Sequence, residues 1–394
     1  MEENILINNK HVFMYDSTNE SKHYDYDYIK QNFCGQICNS SNYDIITLYN
    51  IKQDTLIYSS LTTTKLLNIL NKINENIGCK IYVIQDFSLI NCSFELINLN
   101  RIPLYIKDIG LYFKNMYDDT CNYFDKINNA HKFQTLTESN KLGTAYRKGI
   151  YLTNVNKYDN EIKFNLLRCS TNFNGPTENF HKYDNEIIDK INMVADAFFK
   201  QPVKLNHVLA QIYENYYVNN GIKIKEKKAK IKEHSDKTKD MPKNGLIVFV
   251  TFYNSNKKIN DNFLTKLRFK LKDCDNDNNL KMTKKIDIIL YPNSVLIIPL
   301  STNRMYTHEI IPSSFPINKI PIRMGYVIRC SKEHVTYKNN QTYLSNGCKL
   351  EYANENDIKE IKIAYALENL TNNIINYKDF NFSLNSGDYI KPII

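Results

Sequence analysis

The spacing of apolar residues divides the chain into two parts at about residue 132. In the first part, apolar residues recur at helical spacing over residues 64–77, and the run 79–85, directly after Gly78, is typical of a β-strand. Residues 1–132 are therefore predicted to form a mixed α/β segment. We find no catalytic constellation in it, and its role is not indicated.

Beyond residue 132 the pattern changes to short apolar runs separated by turn residues. Two helices are predicted, over residues 187–199 and around 357–369. The other runs are typical of strands: 146–153, 166–169, 208–213, 245–253, 264–271, 286–290, 295–300 and 322–330. Many short strands of this kind favour a closed or double-sheet β architecture. The predicted fold class is α+β, with a β-rich domain over residues 133–394.

Composition and targeting patterns indicate the cellular compartment in which the protein is expected. No apolar run approaches the length of a membrane span, and the first ten residues lack the basic-then-apolar pattern of a signal peptide. The nine cysteines are irregularly spaced, and the close pair Cys34 and Cys38 has no second pair at zinc-site spacing. We therefore expect a soluble intracellular protein, cytoplasmic or nuclear, with reduced cysteines and no membrane partner. The net charge of +9 favours a polyanionic partner. By itself it does not distinguish binding of nucleic acid from a general effect of charge on solubility.

Arginine is rare in this chain. There are seven arginines against forty-four lysines, Asn, Ile and Tyr are abundant, and Trp is absent. This bias predicts a genome rich in A and T, of a cellular organism or a large DNA virus. Where arginine persists against the bias, we expect a need for its planar fork, because lysine cannot bind a carboxylate in a bidentate way. Three of the seven arginines lie between residues 304 and 329, with chance clustering as the alternative.

A candidate metal site begins at His234-Ser-Asp236, which is followed 72 residues later by His308. Two imidazoles and one carboxylate in this order can form the facial triad that binds non-haem Fe(II) and leaves positions open for O₂ and a co-substrate. Another His-x-Asp triplet, at residues 23–25, has no strand after it, and either triplet alone is better interpreted as a solvated turn. The apolar strand predicted at 245–253 favours the metal site at His234.

Two arginines share one face of the predicted strand 322–330. Because side chains alternate along a strand, Arg323, Gly325, Val327 and Arg329 point the same way. Two guanidinium groups on an apolar strand are costly in a core unless they meet anions. The alternative is an edge strand with both groups in water. Gly325 argues mildly against that alternative, because a missing side chain leaves room for a ligand.

As a set, these motifs are similar to those of the AlkB-like family of Fe(II)/2-oxoglutarate dioxygenases. The similar segments cover about a third of the chain: the strand that opens the family's core (205–213), the proximal iron motif (234–237), the turn before the distal ligand (291–294), the distal motif (304–308) and the Arg-x₅-Arg strand (323–329). The resemblance implies a double-stranded β-helix, or jelly-roll, core. It also implies Fe(II) bound by His234, Asp236 and His308, with 2-oxoglutarate and O₂ as co-substrates.

The resemblance also implies roles for four residues at the co-substrate. Arg323 and the Tyr213 hydroxyl would bind the far carboxylate of 2-oxoglutarate, and Arg329 would lie near its other end. Gln211 stands where the family's Asn-x-Tyr pattern has Asn, and it would line the same site.

Twenty residues separate Tyr213 from His234, more than in the family's usual connection, and they include a lysine-rich run over 223–232. One interpretation is a basic rim beside the iron in which Lys227, Lys228 and Lys230 contact phosphates. The other is a solvated, lysine-rich hairpin.

A second candidate substrate element precedes the core. Arg168 and the loop 170–180 stand where a nucleotide-recognition lid would, and Phe173 or Phe180 could stack on a flipped base, although packing is the commoner role of a loop aromatic.

The resemblance implies oxidative demethylation of N-methylated bases in single-stranded or flipped-base DNA or RNA. The same chemistry on a protein or a small molecule is the first alternative, because substrate pockets vary independently of the fold. An inactive structural or binding homologue is the second, which the intact triad disfavours. The sequence does not indicate an oligomeric state.

Overall fold

The computed structural model describes residues 11–15, 29–39, 56–59, 61, 80–84, 95–97, 102–117, 120–137, 144–169, 173–219, 221, 224–254, 259–272 and 282–394. The helix predicted over 64–77 and the His-x-Asp triplet at 23–25 lie outside these residues. Within them, no helix is both long and apolar enough to cross a membrane.

The N-terminal part contains a parallel sheet. Its strands are β1 (His11–Tyr15), β2 (Gln36–Asn39), β3 (Leu56–Ser59), β4 (Lys80–Ile84) and β5 (Glu95–Ile97), in the order β2-β1-β3-β4-β5. The strand predicted at 79–85 is confirmed as β4. This sheet is packed against the rest of the protein, since the His11 ring stacks on Phe198 at 3.8 Å between ring centroids.

A larger sheet, here the main sheet, forms the centre of the protein. Its order is β12-β9-β13-β22-β17-β20-β7-β6, with β8 paired to β9. The strands are β6 (Leu104–Ile106), β7 (Gly110–Phe113), β8 (Gln134–Thr137), β9 (Thr144–Thr153), β12 (Glu178–Asn179), β13 (His207–Tyr213), β17 (Leu246–Tyr253), β20 (Val295–Pro299) and β22 (Arg323–Arg329). The central strands β13, β22 and β17 are buried almost throughout, as their near-continuous apolar runs require.

The main sheet contains strands from both sides of the boundary predicted at residue 132. Strand β7 lies before that boundary in the chain, yet it pairs with β20. Leu111 and Phe113 of β7 are buried in the same core cluster as Val248 of β17. The structure therefore differs from the prediction at this point, because burial of a short apolar strand joins residues 104–113 to the β-rich part.

A second antiparallel sheet, here the facing sheet, covers one face of the main sheet. It has the order β16-β21-β18-β19, with strands β16 (Ile231–His234), β18 (Lys266–Leu271), β19 (Lys285–Ile289) and β21 (Tyr306–Ile311). In β18, Leu267 and Phe269 point inwards and the lysines of the same strand point outwards. Leu267 and Phe269 pack against Phe249 and Leu296 of the main sheet. Two facing sheets confirm the predicted double-sheet arrangement, while the jelly-roll connectivity stays a prediction.

The remaining strands form a small sheet and a hairpin. The sheet consists of β10 (Asn156–Tyr158), β11 (Glu161–Leu166), β23 (Glu333–Lys338) and β24 (Gln341–Tyr343), and the hairpin of β14 (Tyr216–Asn219) and β15 (Ile224–Lys227). Of the predicted strand 166–169, only Leu166 is in a strand, at the end of β11.

Four helices are relevant to the packing: α1 (Tyr123–Ala130), α2 (Lys182–Phe198), α3 (Leu300–Met305) and α4 (Glu355–Leu370). Both predicted helices are confirmed, as α2 and α4. Helix α2 begins earlier than predicted, because His181 and Asp184 form a capping box at its first turn. Its apolar stripe, which includes Ile187 and Ile191, packs on the outer face of the main sheet.

Candidate metal centre and co-substrate pocket

The structure brings His234, Asp236 and His308 together between the two sheets. Strand β16 pairs with β21 so that His234 lies directly opposite His308, and Asp236 follows two residues later. One ligand atom from each of the three side chains lies within 4.8 Å of the other two. The three donors are two imidazoles and a carboxylate, the set that suits Fe(II) with open coordination positions.

The two oxygens of the Asp236 carboxylate have different partners. Its Oδ1 lies 3.7 Å from His234 Nε2 and 3.9 Å from His308 Nε2. Its Oδ2 accepts a hydrogen bond from Arg329 Nε at 2.9 Å and lies 2.8 Å from Arg329 Nη2. Burial alone would raise the pKa of Asp236, but the Arg329 guanidinium holds it well below its usual value. The carboxylate therefore stays ionised and able to bind a cation.

Both imidazoles are oriented towards Asp236. His234 Nδ1 donates to the Lys232 carbonyl at 2.8 Å, which leaves Nε2 as the nitrogen that faces Asp236. His308 is only 3% exposed, with its ring between Phe249 and Phe269. Burial, with the neighbouring His234 adding to it, lowers the pKa of His308 to about 3. A neutral imidazole can donate its lone pair to a metal.

The inner face of the main sheet carries a row of cationic and hydroxyl side chains. Arg323 lies opposite Tyr213 on β13 and opposite Tyr253 on β17. The Arg323 guanidinium lies over the Tyr213 ring, 3.9 Å from the ring centroid, and Arg323 is only 3% exposed. The Tyr213 hydroxyl donates to Gln211 Oε1 at 3.2 Å. The predicted co-substrate residues Arg323, Tyr213 and Gln211 are thus neighbours on one buried surface.

Gly325 leaves the space in which the Arg323 guanidinium lies. A Cβ atom added at residue 325 would lie 3.0 Å from Arg323 Nη1 and 3.2 Å from Tyr213 Cε2. The position next to the guanidinium is therefore open only because residue 325 has no side chain.

The Arg323 guanidinium has a buried edge without a protein partner. Among the described residues, nothing accepts a hydrogen bond from its Nε or Nη2. The same Nε/Nη2 edge binds an aspartate in three other arginines of this chain: Arg168 with Asp240, Arg268 with Asp287 and Arg329 with Asp236. Because this edge of the buried cation has no acceptor in the protein, it is suited to donate two parallel hydrogen bonds to the carboxylate of a ligand.

Two further residues of this face were not found from the sequence. Arg147 on β9 lies opposite Tyr213, and His207 on β13 lies opposite Arg329. Within the described part of the chain, Arg147 Nε, His207 Nδ1 and Arg329 Nη1 are buried without a hydrogen-bond partner. The alternation of β13 could have indicated His207, because it shares the inward face of its strand with Gln211 and Tyr213, whereas no residue of β9 was singled out that could have indicated Arg147.

Arg168 has a structural role instead of the predicted contact with substrate. It is 5% exposed, and its Nε and Nη2 donate to the two oxygens of Asp240 at 2.9 and 2.8 Å. Its Nη1 donates to the Phe380 carbonyl at 2.8 Å. The guanidinium thus binds groups of the protein itself.

The two aromatic residues predicted for the lid are also buried. Phe173 packs on Tyr151 with 4.5 Å between ring centroids and covers Gly149. Phe180 belongs to the core on the other face of the main sheet. Neither ring offers an exposed stacking surface, so the packing interpretation is correct.

The lysine-rich insert is a hairpin, β14–β15, between the strand that carries Tyr213 and the strand that carries His234. Lys230 is exposed and Lys227 is half-buried. Lys228 differs from the prediction, because its Nζ donates to the carbonyls of Ser313 and Phe315 at 2.9 and 2.6 Å.

Comparisons with known proteins add little to this picture. No protein-family model and no curated protein matches the chain. A prolyl-4-hydroxylase of Pseudomonas putida is similar over 54% of this chain and 84% of its own, with 9% identity and a TM-score of 0.28. OsALKBH1 is similar over 58% of this chain and 99% of its own, with 10% identity and a TM-score of 0.34. At these TM-scores we base nothing on either likeness, and membership of the AlkB-like family stays a prediction.

Proposed function

We propose that this protein is an Fe(II)- and 2-oxoglutarate-dependent dioxygenase. The observation that carries the proposal is the unmatched Nε/Nη2 edge of buried Arg323 on the sheet face whose Arg329 contacts the triad residue Asp236. A dicarboxylate with one end on Arg323 and the other towards the triad would satisfy that edge. The donor set of two imidazoles and one carboxylate suits Fe(II).

Each residue of the site has a definite task in this proposal. Arg323 and the Tyr213 hydroxyl orient the co-substrate through its far carboxylate, and Arg329 keeps Asp236 ionised and fixed. The rings of Phe249 and Phe269 exclude water from the His308 side of the site. When bound, Fe(II) with 2-oxoglutarate and O₂ supplies an oxidative decarboxylation to succinate and CO₂ that is coupled to hydroxylation of a substrate C–H bond.

For the substrate we propose an N-methylated base of DNA or RNA, single-stranded or flipped out of a duplex. Hydroxylation of the methyl group gives a hydroxymethyl base, which releases formaldehyde and the unmethylated base. The insert hairpin supports a nucleic-acid partner, because it presents exposed Tyr217, Lys225 and Lys230 close in sequence to His234. The burial of Arg168 and Phe173 favours the alternative, a protein or small-molecule substrate, because these two side chains are not exposed to read a base.

The proposal is tested by succinate formation from 2-oxoglutarate by the purified protein with Fe(II). Methylated single-stranded DNA, methylated RNA and no second substrate are compared. We expect His308→Ala to abolish Fe(II)-dependent succinate formation, and His334→Ala to retain it, because His334 is an exposed strand histidine that bonds only to Asn165 in the described contacts. Turnover of His308→Ala at the wild-type rate would contradict the enzyme proposal. Turnover that neither nucleic acid stimulates would favour the protein or small-molecule alternative.

A further inference from the structure

The short loop that carries Asp236 is held by side chains from distant parts of the chain. Ser235 N donates to Asn369 Oδ1 at 2.8 Å, and Thr238 N donates to Glu368 Oε1 at 3.0 Å. Between them, Asp236 N donates to a side-chain oxygen of α3 at 2.8 Å. Ser235 is fully buried, so its backbone N–H depends on this acceptor.

Two of these acceptors, Glu368 and Asn369, stand side by side in the last turn of α4. Asn369 Oδ1 also accepts from Lys237 Nζ at 3.0 Å, and the Thr238 hydroxyl donates to the Glu368 carboxylate. The end of α4 therefore binds the main chain or side chain of residues 235, 237 and 238. The pattern of residues after position 330 predicts this helix and indicates no role for the region.

The end of α4 is itself fixed in place. Lys272 Nζ, from just after β18, donates to the carbonyls of Glu368 and Thr371 at 2.6 and 3.0 Å. A buried cation at this position satisfies the free carbonyls and the dipole of the helix terminus. On the inner side of the helix, the Tyr365 hydroxyl donates to the Arg168 carbonyl at 2.8 Å. The acceptors of Glu368 and Asn369 are therefore presented from a fixed support.

We propose that Glu368 and Asn369 are positioning residues of the metal centre. Asn369 fixes the backbone between His234 and Asp236, and Glu368 fixes it two residues after Asp236, so that the side chains of His234 and Asp236 face His308 across the β16–β21 pair. The inference rests on the proposed metal site, and it assigns the C-terminal extension, residues 331–394, a part in metal affinity. Loss of partners that orient ligands from outside the coordination shell typically weakens metal binding about 10–100-fold.

The test is a titration of the full-length, metal-free protein with Co(II) chloride, followed by the visible absorption of the bound ion. We expect Asn369→Ala to bind Co(II) about 10–100-fold more weakly than wild type. Asn369→Asp keeps the oxygen acceptors for Ser235 and Lys237, and we expect it to restore most of the affinity. Glu360→Gln is the matched control on the same helix, because Glu360 is exposed and pairs only with Lys378 in the described contacts; its affinity should equal that of wild type.

Thermal unfolding of each variant without metal shows whether a loss of Co(II) affinity comes from a less stable protein. The KM for 2-oxoglutarate at saturating Fe(II) should stay at the wild-type value in Asn369→Ala. Wild-type Co(II) affinity in a folded Asn369→Ala would overturn the inference while the metal site stands. If Asn369→Ala does not fold, Glu368→Met decides, because it removes the acceptor for Thr238 at similar side-chain length: weaker Co(II) binding with unchanged apoprotein stability supports the inference, and unchanged binding overturns it. A wild-type protein that binds no Co(II) would instead refute the proposed metal site.

Discussion

Arg329 binds one oxygen of Asp236 and leaves the other to the two imidazoles. Both Nε and Nη2 of Arg329 lie within 2.9 Å of Oδ2, whereas Oδ1 faces His234 and His308. The arginine thus fixes the rotation of the carboxylate and compensates its charge at a buried position. The family resemblance implies that Arg329 lies near the other end of the co-substrate, and its buried Nη1, which has no partner among the described residues, allows that role.

The first prediction is that Arg329→Met destabilises the metal-free protein by about 3–5 kcal/mol, because it leaves a buried carboxylate without its cation. Urea unfolding at pH 7 measures the loss. Arg268→Met is the matched control, since Arg268 binds Asp287 through the same guanidinium edge on a half-exposed strand; we expect a loss of about 1 kcal/mol or less there. Equal losses in the two variants would show that the Arg329–Asp236 pair is not the buried contact described above.

The second prediction concerns the co-substrate carboxylate. Arg323→Lys should raise the KM for 2-oxoglutarate about 10–100-fold, because a point charge replaces two parallel N–H donors and loses one charge-assisted hydrogen bond. Steady-state succinate formation across a 2-oxoglutarate series gives the KM, with Arg268→Lys as the control that should not change it. An unchanged KM in Arg323→Lys would move the carboxylate away from this residue.

The third prediction uses the gap at Gly325. A methyl group there would lie 3.0 Å from Arg323 Nη1, so Gly325→Ala should displace the guanidinium by a few tenths of an ångström. We expect a rise of about tenfold or less in the KM for 2-oxoglutarate, smaller than in Arg323→Lys, with Co(II) affinity unchanged. A weaker Co(II) affinity without a change in KM would contradict this assignment of Gly325.

The grouping of the triad residues and the face of the arginine strand could be predicted because they depend on features that are local in the sequence. His234 and Asp236 are two residues apart, and strand alternation places Arg323, Gly325 and Arg329 on one face without knowledge of the neighbouring strands. The turn 291–294 and the apolar strand 295–300 that precede His308 are visible in the pattern, whereas the short helix α3 and the strand β21 that carries His308 were not predicted. The features that were predicted need only periodicity and residue type.

The partners of these residues could not be predicted, because they depend on contacts between distant parts of the chain. Nothing near Arg168 in the sequence indicates that Asp240 and the carbonyl of Phe380 will enclose it. The pairing of β7 with β20 brings residues 110–113 into the main sheet across nearly two hundred positions. An isolated arginine or a short apolar strand has the same local pattern whether it meets a ligand or the protein itself.

A buried histidine network outside the site gives the fourth prediction. His131 Nδ1 lies 3.0 Å from Glu178 Oε2, and its Nε2 lies 2.8 Å from Asp184 Oδ2. Burial alone would lower the pKa of His131, but the two carboxylates raise it to about 9. Asp184 also accepts from the Tyr326 hydroxyl at 2.7 Å, so the network joins α2 to the strand that carries Arg323.

Because the pKa of His131 is higher in the folded state than in the unfolded state, its contribution to stability is fully present below about pH 6.5 and is lost as the pH rises through about 9. Wild type should therefore lose on the order of 2–3 kcal/mol of unfolding free energy between pH 6.5 and pH 10 relative to His131→Gln. Urea unfolding at a series of pH values gives both curves. Parallel curves would mean that His131 is not charged in the folded protein.

The last prediction tests the substrate through the insert hairpin. Lys225 and Lys230 are exposed and Lys227 is half-buried, whereas Lys228 is bound to two carbonyls and is left unchanged. If the hairpin contacts phosphates, replacing Lys225, Lys227 and Lys230 with Gln should weaken binding of a methylated single-stranded oligonucleotide and make its salt dependence less steep, because fewer counterions are released on binding. Fluorescence anisotropy over a salt series measures both effects.

The same triple change at exposed Lys157, Lys163 and Lys359 is the charge-matched control, and Co(II) binding should be unchanged in both variants. An equal loss of affinity in the two variants would indicate only a general effect of net charge, and would favour a protein or small molecule as the substrate.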